Sequence, residues 1–138
     1  MATSYRIDER RALAVISLSG DLTADEFSEC AAAMAADPAF HRDMSRLVIA
    51  KGVTSFPSHS VIQSLAGTVR ERAHAYGARY GIVADSPLAM GMMNMIMGQA
   101  GMMDRYEFFD SEDEAIAWLL SPRADSADSA EARLRSKG

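Results

Sequence analysis

Between residues 80 and 120 a short apolar run passes directly into a capped helix, and the same junction then repeats. Tyr80 to Ala84 is apolar and leads into Asp85-Ser86-Pro87, and a helix loaded with methionine follows from Leu88 to Gln99. Tyr106 to Phe109 then leads into Asp110-Ser111 and a helix ending in Trp118-Leu119-Leu120. Ser86 is placed to cap its helix, with Pro87 at the first helical position, where a missing N–H is harmless. Ser111 and Glu114 have the spacing of a capping box. Strands that alternate with helices in this way pair in parallel through right-handed crossovers. An α/β fold follows, with the strand-to-helix edge as its expected working edge.

The rest of the chain fits that frame. Tyr5 to Glu9 and Leu13 to Ser19 read as strands around a polar turn at Arg10-Arg11, so the first strand should run antiparallel to the second. The second leaves few polar positions, as in a strand covered on both faces. Thr23 to Glu26 forms a capping box for a helix with Phe27, Ala31 and Met34 on one face, and Asp37-Pro38 ends it. Leu47 to Ala50 is a short buried strand. Ser60 to Gln63 is read as the cap of the next helix, whose stripe is Ile62, Leu65, Ala66, Val69 and Ala73, with Gly77 as its C′ residue. The sum is a single-domain, mixed, mostly parallel sheet of about five strands covered by about four helices, a normal size for one domain.

A chain of 138 residues is one domain by length. Periodic apolar patterning covers residues 4 to about 120, and the domain is read as residues 1–121. Residues 122–138 contain one leucine and no aromatic residue, too little apolar area to offset ordering entropy, so they are predicted to form a mobile polar tail. The net charge is −5 with acid spread through the body, which argues against nucleic acid as a partner. Cys30 is the single cysteine and has no internal disulfide partner. The opening MATSYRIDER lacks the apolar core of a signal peptide, and no uncharged run reaches the ~18 residues of a spanning helix. The expected location is the cytoplasm.

The order of elements resembles the STAS-type family, the SpoIIAA-like domains, which are distantly akin in fold to anti-sigma-factor antagonists and Sec14 lipid-binding proteins. The likeness is carried by LVIAKGVTSFPSHSV and by the run from Asp85 to Leu120 with its SPLAMGMM and FFDSEDEAIAWL, and it spans nearly all of residues 4 to 120. It implies a small α/β domain that binds a partner or an apolar ligand and does no chemistry. In the antagonists a serine in an Asp-Ser-Ser-Gly stretch, at the start of the helix after the third strand, is a phosphorylation switch. The matching residues are Pro57-Ser58-His59-Ser60, so the serine falls at Ser58, with Pro57 in place of the acid and Ser60 in place of the glycine.

Ligands of parallel sheets bind beyond the carboxyl ends of the strands. Here those ends carry Gly20-Asp21, Lys51-Gly52, Asp85-Ser86 and Asp110-Ser111, which should gather at one rim. Asp85 and Asp110 precede helix N-termini, where the dipole stabilises a carboxylate. Ser58 is a candidate phosphoacceptor or a plain N-cap. Ser58 and His59 are adjacent, rarely point at each other and have no third orienting group, so no catalytic residue is assigned. His41, His59 and His74 lack metal-ligand spacing. Seven of the ten methionines lie between residues 90 and 103. Thioethers can hold Cu(I), but no cysteine or histidine accompanies them, so neither metal nor cofactor is expected.

A helix buries only about half of its residues against one layer. Met90, Met93 and Met97 fall on one side, and Met92 and Met95, with Ile96 nearby, on others. These six residues are therefore read as a surface for a protein partner or an apolar, lipid-like ligand, with Met92 and Met95 pointing outward. The leading expectation is a non-catalytic interaction module, self-associating as a homodimer, with peripheral membrane contact open. A phospho-regulated switch at Ser58 is the alternative, and a hydrolase stands third.

Overall fold

The computed structural model describes residues 3–41, 44–55, 57–73, 79–102 and 105–121. The elements are β1 (Thr3–Asp8), β2 (Leu13–Gly20), α1 (Ala24–Ala36), β3 (Ser45–Val53), α2 (His59–Ala73), β4 (Tyr80–Ala84), α3 (Pro87–Gln99), β5 (Tyr106–Phe109) and α4 (Glu112–Leu120). The strands form one sheet in the order β1-β2-β3-β4-β5. β1 is antiparallel to β2, and the remaining pairs are parallel. The mixed, mostly parallel sheet with its helical cover is the architecture read from the sequence. His74, Gly77, Met103 and the polar tail lie outside the described residues.

Each crossover from β2 to β5 steps one strand in the same direction. Right-handed connections therefore place α1, α2 and α3 together on one face. Ala14, Ile16 and Leu18 of β2, Val48 and Ala50 of β3, and Tyr80 and Ile82 of β4 join that layer in the larger core. The opposite face carries a smaller core of Leu13, Val15, Leu47 and Val83 against Ala115 and Leu119 of α4. β2 is thus buried on both faces, as its run of apolar residues required.

Local chemistry explains most boundaries. Thr23, Ser86 and Ser111 cap α1, α3 and α4, each side-chain oxygen accepting from the backbone N–H three residues on. Several boundaries differ from expectation, among them β1, which starts at Thr3, and β3, which runs on to Val53, and two have a direct cause. α2 is capped by Ser58, whose Oγ accepts from Val61 N at 3.3 Å, so the helix starts a residue before Ser60. β3 begins at Ser45-Arg46, because Arg46 is fully buried and its guanidinium stacks 5.0 Å from the Phe40 ring centroid and 6.0 Å from that of Tyr80. A charged residue that reads as a strand boundary is here an inner strand position.

β1 is clasped to α1 by Tyr5, whose hydroxyl donates to Asp37 Oδ2 at 2.9 Å. The bond to that carboxylate raises the Tyr5 pKa above its ordinary value. At the other edge α4 lies unusually close to β4. A Cβ added to Gly81 would meet Leu119 Cδ1 at 3.1 Å, Leu119 Cγ at 3.2 Å and Ala115 Cβ at 3.4 Å. Arg79 secures the far end of the same helix, its Nη2 donating to the carbonyls of Trp118 at 3.0 Å, Leu119 at 3.2 Å and Ser121 at 3.0 Å. Its guanidinium also lies 4.5 Å from the Trp118 ring centroid.

Two glycine substitutions should act in opposite directions. Gly81→Val crowds buried Leu119 and should lower unfolding stability by about 1 to 3 kcal/mol. Gly67→Ala meets open space in mid-helix and should raise it by about 0.5 to 1 kcal/mol. Urea denaturation of each variant checks both; equal stability of Gly81→Val and the parent would refute the close packing of α4.

Candidate functional site

The strand-end loops do gather at one rim. Gly52, at φ 76°, is in the left-handed region that favours glycine, and its N–H donates to Asp85 Oδ2 at 3.3 Å. Thr54 N donates to Gly20 O at 3.1 Å. The hydroxyls of Ser55 and Thr54 both donate to Asp21 Oδ1, at 2.7 and 2.8 Å. The bonds from Ser55 and then Thr54 hold the Asp21 carboxyl below the usual carboxylate range. Lys51 Nζ lies 3.9 Å from Glu112 Oε2, at the start of α4. The polar groups of this rim answer one another. Among the described residues no group of three or more His, Cys, Asp or Glu side chains is placed to hold a metal.

Ser58 is exposed beside this rim, with Oγ 3.2 Å from Ser60 Oγ. His41 and His59 are exposed and far apart in the chain. The described residues thus bring together no nucleophile, base and orienting group.

The methionine-rich helix is placed differently from the reading of its sequence. Ala89, Met92, Met93, Ile96 and Met97 are buried, each at most 2% exposed. Met90 and Met95 are 41% and 38% exposed. At about 100° per residue, the buried positions span an arc of roughly 140°. The outward arc has Met90 at one edge and Met95 at the other, with Pro87, Gly91, Asn94 and Gly98 between. Met92 therefore points inward, contrary to expectation. The reason is that α3 packs against α2 as well as the sheet, so its second flank is also covered. A continuous methionine surface is not formed; two half-exposed methionines flank a strip of small and polar residues. Asn94, on that strip, accepts from the Tyr106 hydroxyl at 3.0 Å.

What the inner face of α3 meets is a cavity of about 40 Å³ between the sheet and the three-helix layer. Ile16, Leu18, Val48 and Tyr80 form its floor. Met34 reaches in from α1, Val69 from α2, and Met93, Ile96 and Met97 from α3. Phe27, Cys30 and Ala31 of α1 and Thr68 of α2 complete the lining and are partly exposed, which marks the α1–α2 seam as the way in. Thr3, at the start of β1, is 2% exposed and also lines the cavity.

Few groups here are polar. The Thr68 hydroxyl donates to Ser64 O at 3.1 Å. Burial pushes the Tyr80 hydroxyl up, while Arg46, Arg105 and a hydrogen bond with Arg46 hold it back. Burial raises the Cys30 thiol, so it is protonated and a weak nucleophile near neutral pH. Thr3 Oγ1 is buried and has no hydrogen-bond partner among the described residues. Among the described residues, the lining of this apolar chamber offers no acid, base or activated nucleophile. Sequence reading singled out Met93, Ile96 and Met97 as part of an interaction surface, not as a cavity wall, and did not single out Thr3, Cys30, Thr68 or Tyr80, since nothing local signals that α1, α2 and β1 converge there. No helix among the described residues is long and apolar enough to cross a membrane. In comparisons with known proteins, no family model and no curated protein matches the chain.

The two outward candidates should now separate. Met92→Glu places an unpaired carboxylate in the core and should cost at least ~3 kcal/mol of stability. Met95→Glu should change it by less than ~0.5 kcal/mol. Thermal unfolding followed by circular dichroism checks this, and a Met92→Glu variant as stable as the parent would overturn the buried assignment.

Proposed function

We propose that the chain is a non-catalytic, STAS-like α/β module that takes an apolar small molecule into the chamber behind its methionine-rich helix. The carrying observation is that Met93, Ile96 and Met97 do not simply fill the core but wall an apolar cavity. Methionine suits this role because its unbranched, polarizable chain repacks around varied shapes at little cost. Met90, Met92, Met93, Met95, Ile96 and Met97 then divide the work. The inward members face the ligand or support its wall, and Met90 and Met95 are left for a protein partner or a second copy. The element order resembling STAS-type domains supports a binding role over an enzymatic one.

A second reading keeps Ser58 as a phosphoacceptor. Its support is that Ser58 is exposed at the N-terminus of a 15-residue helix, where free N–H groups stabilise a phosphate. Intact mass after incubation with host kinases, with Ser58→Ala as control, tests it.

For the leading reading, native mass spectrometry of the purified protein should reveal a bound apolar molecule or an empty chain able to take one. An alkane probe at about ten times its Kd should raise Tm by roughly 4 °C. Ala31→Leu, which fills the mouth of the chamber, should keep the parent's fold and abolish that shift. No bound molecule and no shift with any apolar probe would refute the reading.

A further inference from the structure

We infer that the chamber selects a neutral, unbranched alkyl chain carrying one hydrogen-bonding oxygen, and that Thr3 Oγ1 is the group that receives this oxygen. The inference rests on the cavity reading above and adds the chemistry of the ligand. Three observations carry it. First, Thr3 lines the chamber, is 2% exposed, and its Oγ1 has no partner among the described residues. A buried hydroxyl left unmatched destabilises a fold, and a ligand oxygen would satisfy it. The other two lining hydroxyls, of Thr68 and Tyr80, are engaged by Ser64 and Arg46.

Second, among the described residues none that lines the chamber carries a charge: Thr3, Cys30, Thr68 and Tyr80 are the polar ones. A carboxylate or ammonium head would meet no counter-charge on that described wall, and its desolvation penalty disfavours it. The oxygen must therefore belong to an alcohol, carbonyl or ester. Third, the chamber measures about 40 Å³. An engineered cavity that takes benzene is about 150 Å³. Neither a ring nor a heptyl chain fits the resting chamber unchanged, but the flexible side chains of Met34, Met93 and Met97 let it lengthen to take a narrow chain more readily than it widens for a ring.

Cys30 lines the same chamber and is the single cysteine, so it reports occupancy directly. The test measures the rate of Cys30 alkylation by N-ethylmaleimide against rising heptan-1-ol, heptane or heptanoate, using the full chain. Heptan-1-ol should protect Cys30 at the lowest concentration, heptane at a higher one, and heptanoate not at all. In Thr3→Val, which keeps shape and removes the hydroxyl, the preference for heptan-1-ol over heptane should fall at least about fivefold. Thr3→Ser should restore it. Thr3→Val should also melt no lower than the parent, since it removes an unmatched polar group. If no probe protects Cys30, the cavity reading and this inference both fall. If heptane protects but Thr3→Val leaves the preference for the alcohol intact, or heptanoate binds as well as heptan-1-ol, only this inference is overturned.

Discussion

Nine residues of helix, Glu112–Leu120, cover the second face of the sheet, whereas three helices cover the first. A parallel sheet is stable only when both faces leave water, so that single helix has to bury as much as it can. Close approach is its means. Gly81 has no Cβ, and Leu119 and Ala115 occupy the space one would fill. Phe109 and Trp118, with ring centroids 5.5 Å apart, extend the same contact toward the sheet edge. The uncovered part of that face is polar: Ser4 and Arg6 of β1 are exposed there. The antiparallel edge strand thus ends the sheet on a side where no further helix is needed.

Helix termini show a related economy. Neither α3 nor α4 has a basic residue in its last turn, so neither supplies its own complement to the negative end of its dipole. Arginines from elsewhere do so. Arg70 of α2 donates to the Gln99 carbonyl at the end of α3. Arg79, just before β4, donates to the last carbonyls of α4. Each arginine satisfies orphan acceptors and also ties two elements together. The end of α3 is fixed to α2, and the end of α4 to the start of β4. The Arg70 cap thus holds α3 against α2 beside the chamber, and the Arg79 cap holds α4 on the opposite face of the sheet.

The parts of the fold that were legible in the sequence are those decided within a few residues. A serine oxygen three residues before a backbone N–H sets a helix start, and Ser86 and Ser111 were readable for that reason. Ser58 and Ser60 were harder to tell apart, because both have the right chemistry and only the loop from β3 decides which one caps. Arg46 was illegible. Its burial depends on Phe40 and Tyr80, which are brought to it by a loop and by the neighbouring strand. The inward turn of Met92 was illegible too, since it follows from α3 touching α2 as well as the sheet. The chamber needs four strands and three helices to converge, and no local pattern encodes a space.

That space also accounts for why methionine, rather than leucine, crowds this part of the chain. α1 and α3 stand on either side of α2, and each sends methionine beneath it: Met34 from one flank, Met93 and Met97 from the other. Branched side chains in those positions would set a fixed wall, because their rotamers are few and their shapes rigid. A wall of unbranched thioethers has many nearly equal packings. It can close to the small resting volume while keeping dispersion contacts, and on the proposed reading it would part for a chain entering at the α1–α2 seam. The floor residues Ile16, Leu18 and Val48 lie on the sheet, where strand pairing already fixes them, and the helical side mixes Met34, Met93 and Met97 with the β-branched Val69 and Ile96. On the proposed reading, the thioethers supply the give that lets the chamber open over a floor that stays fixed.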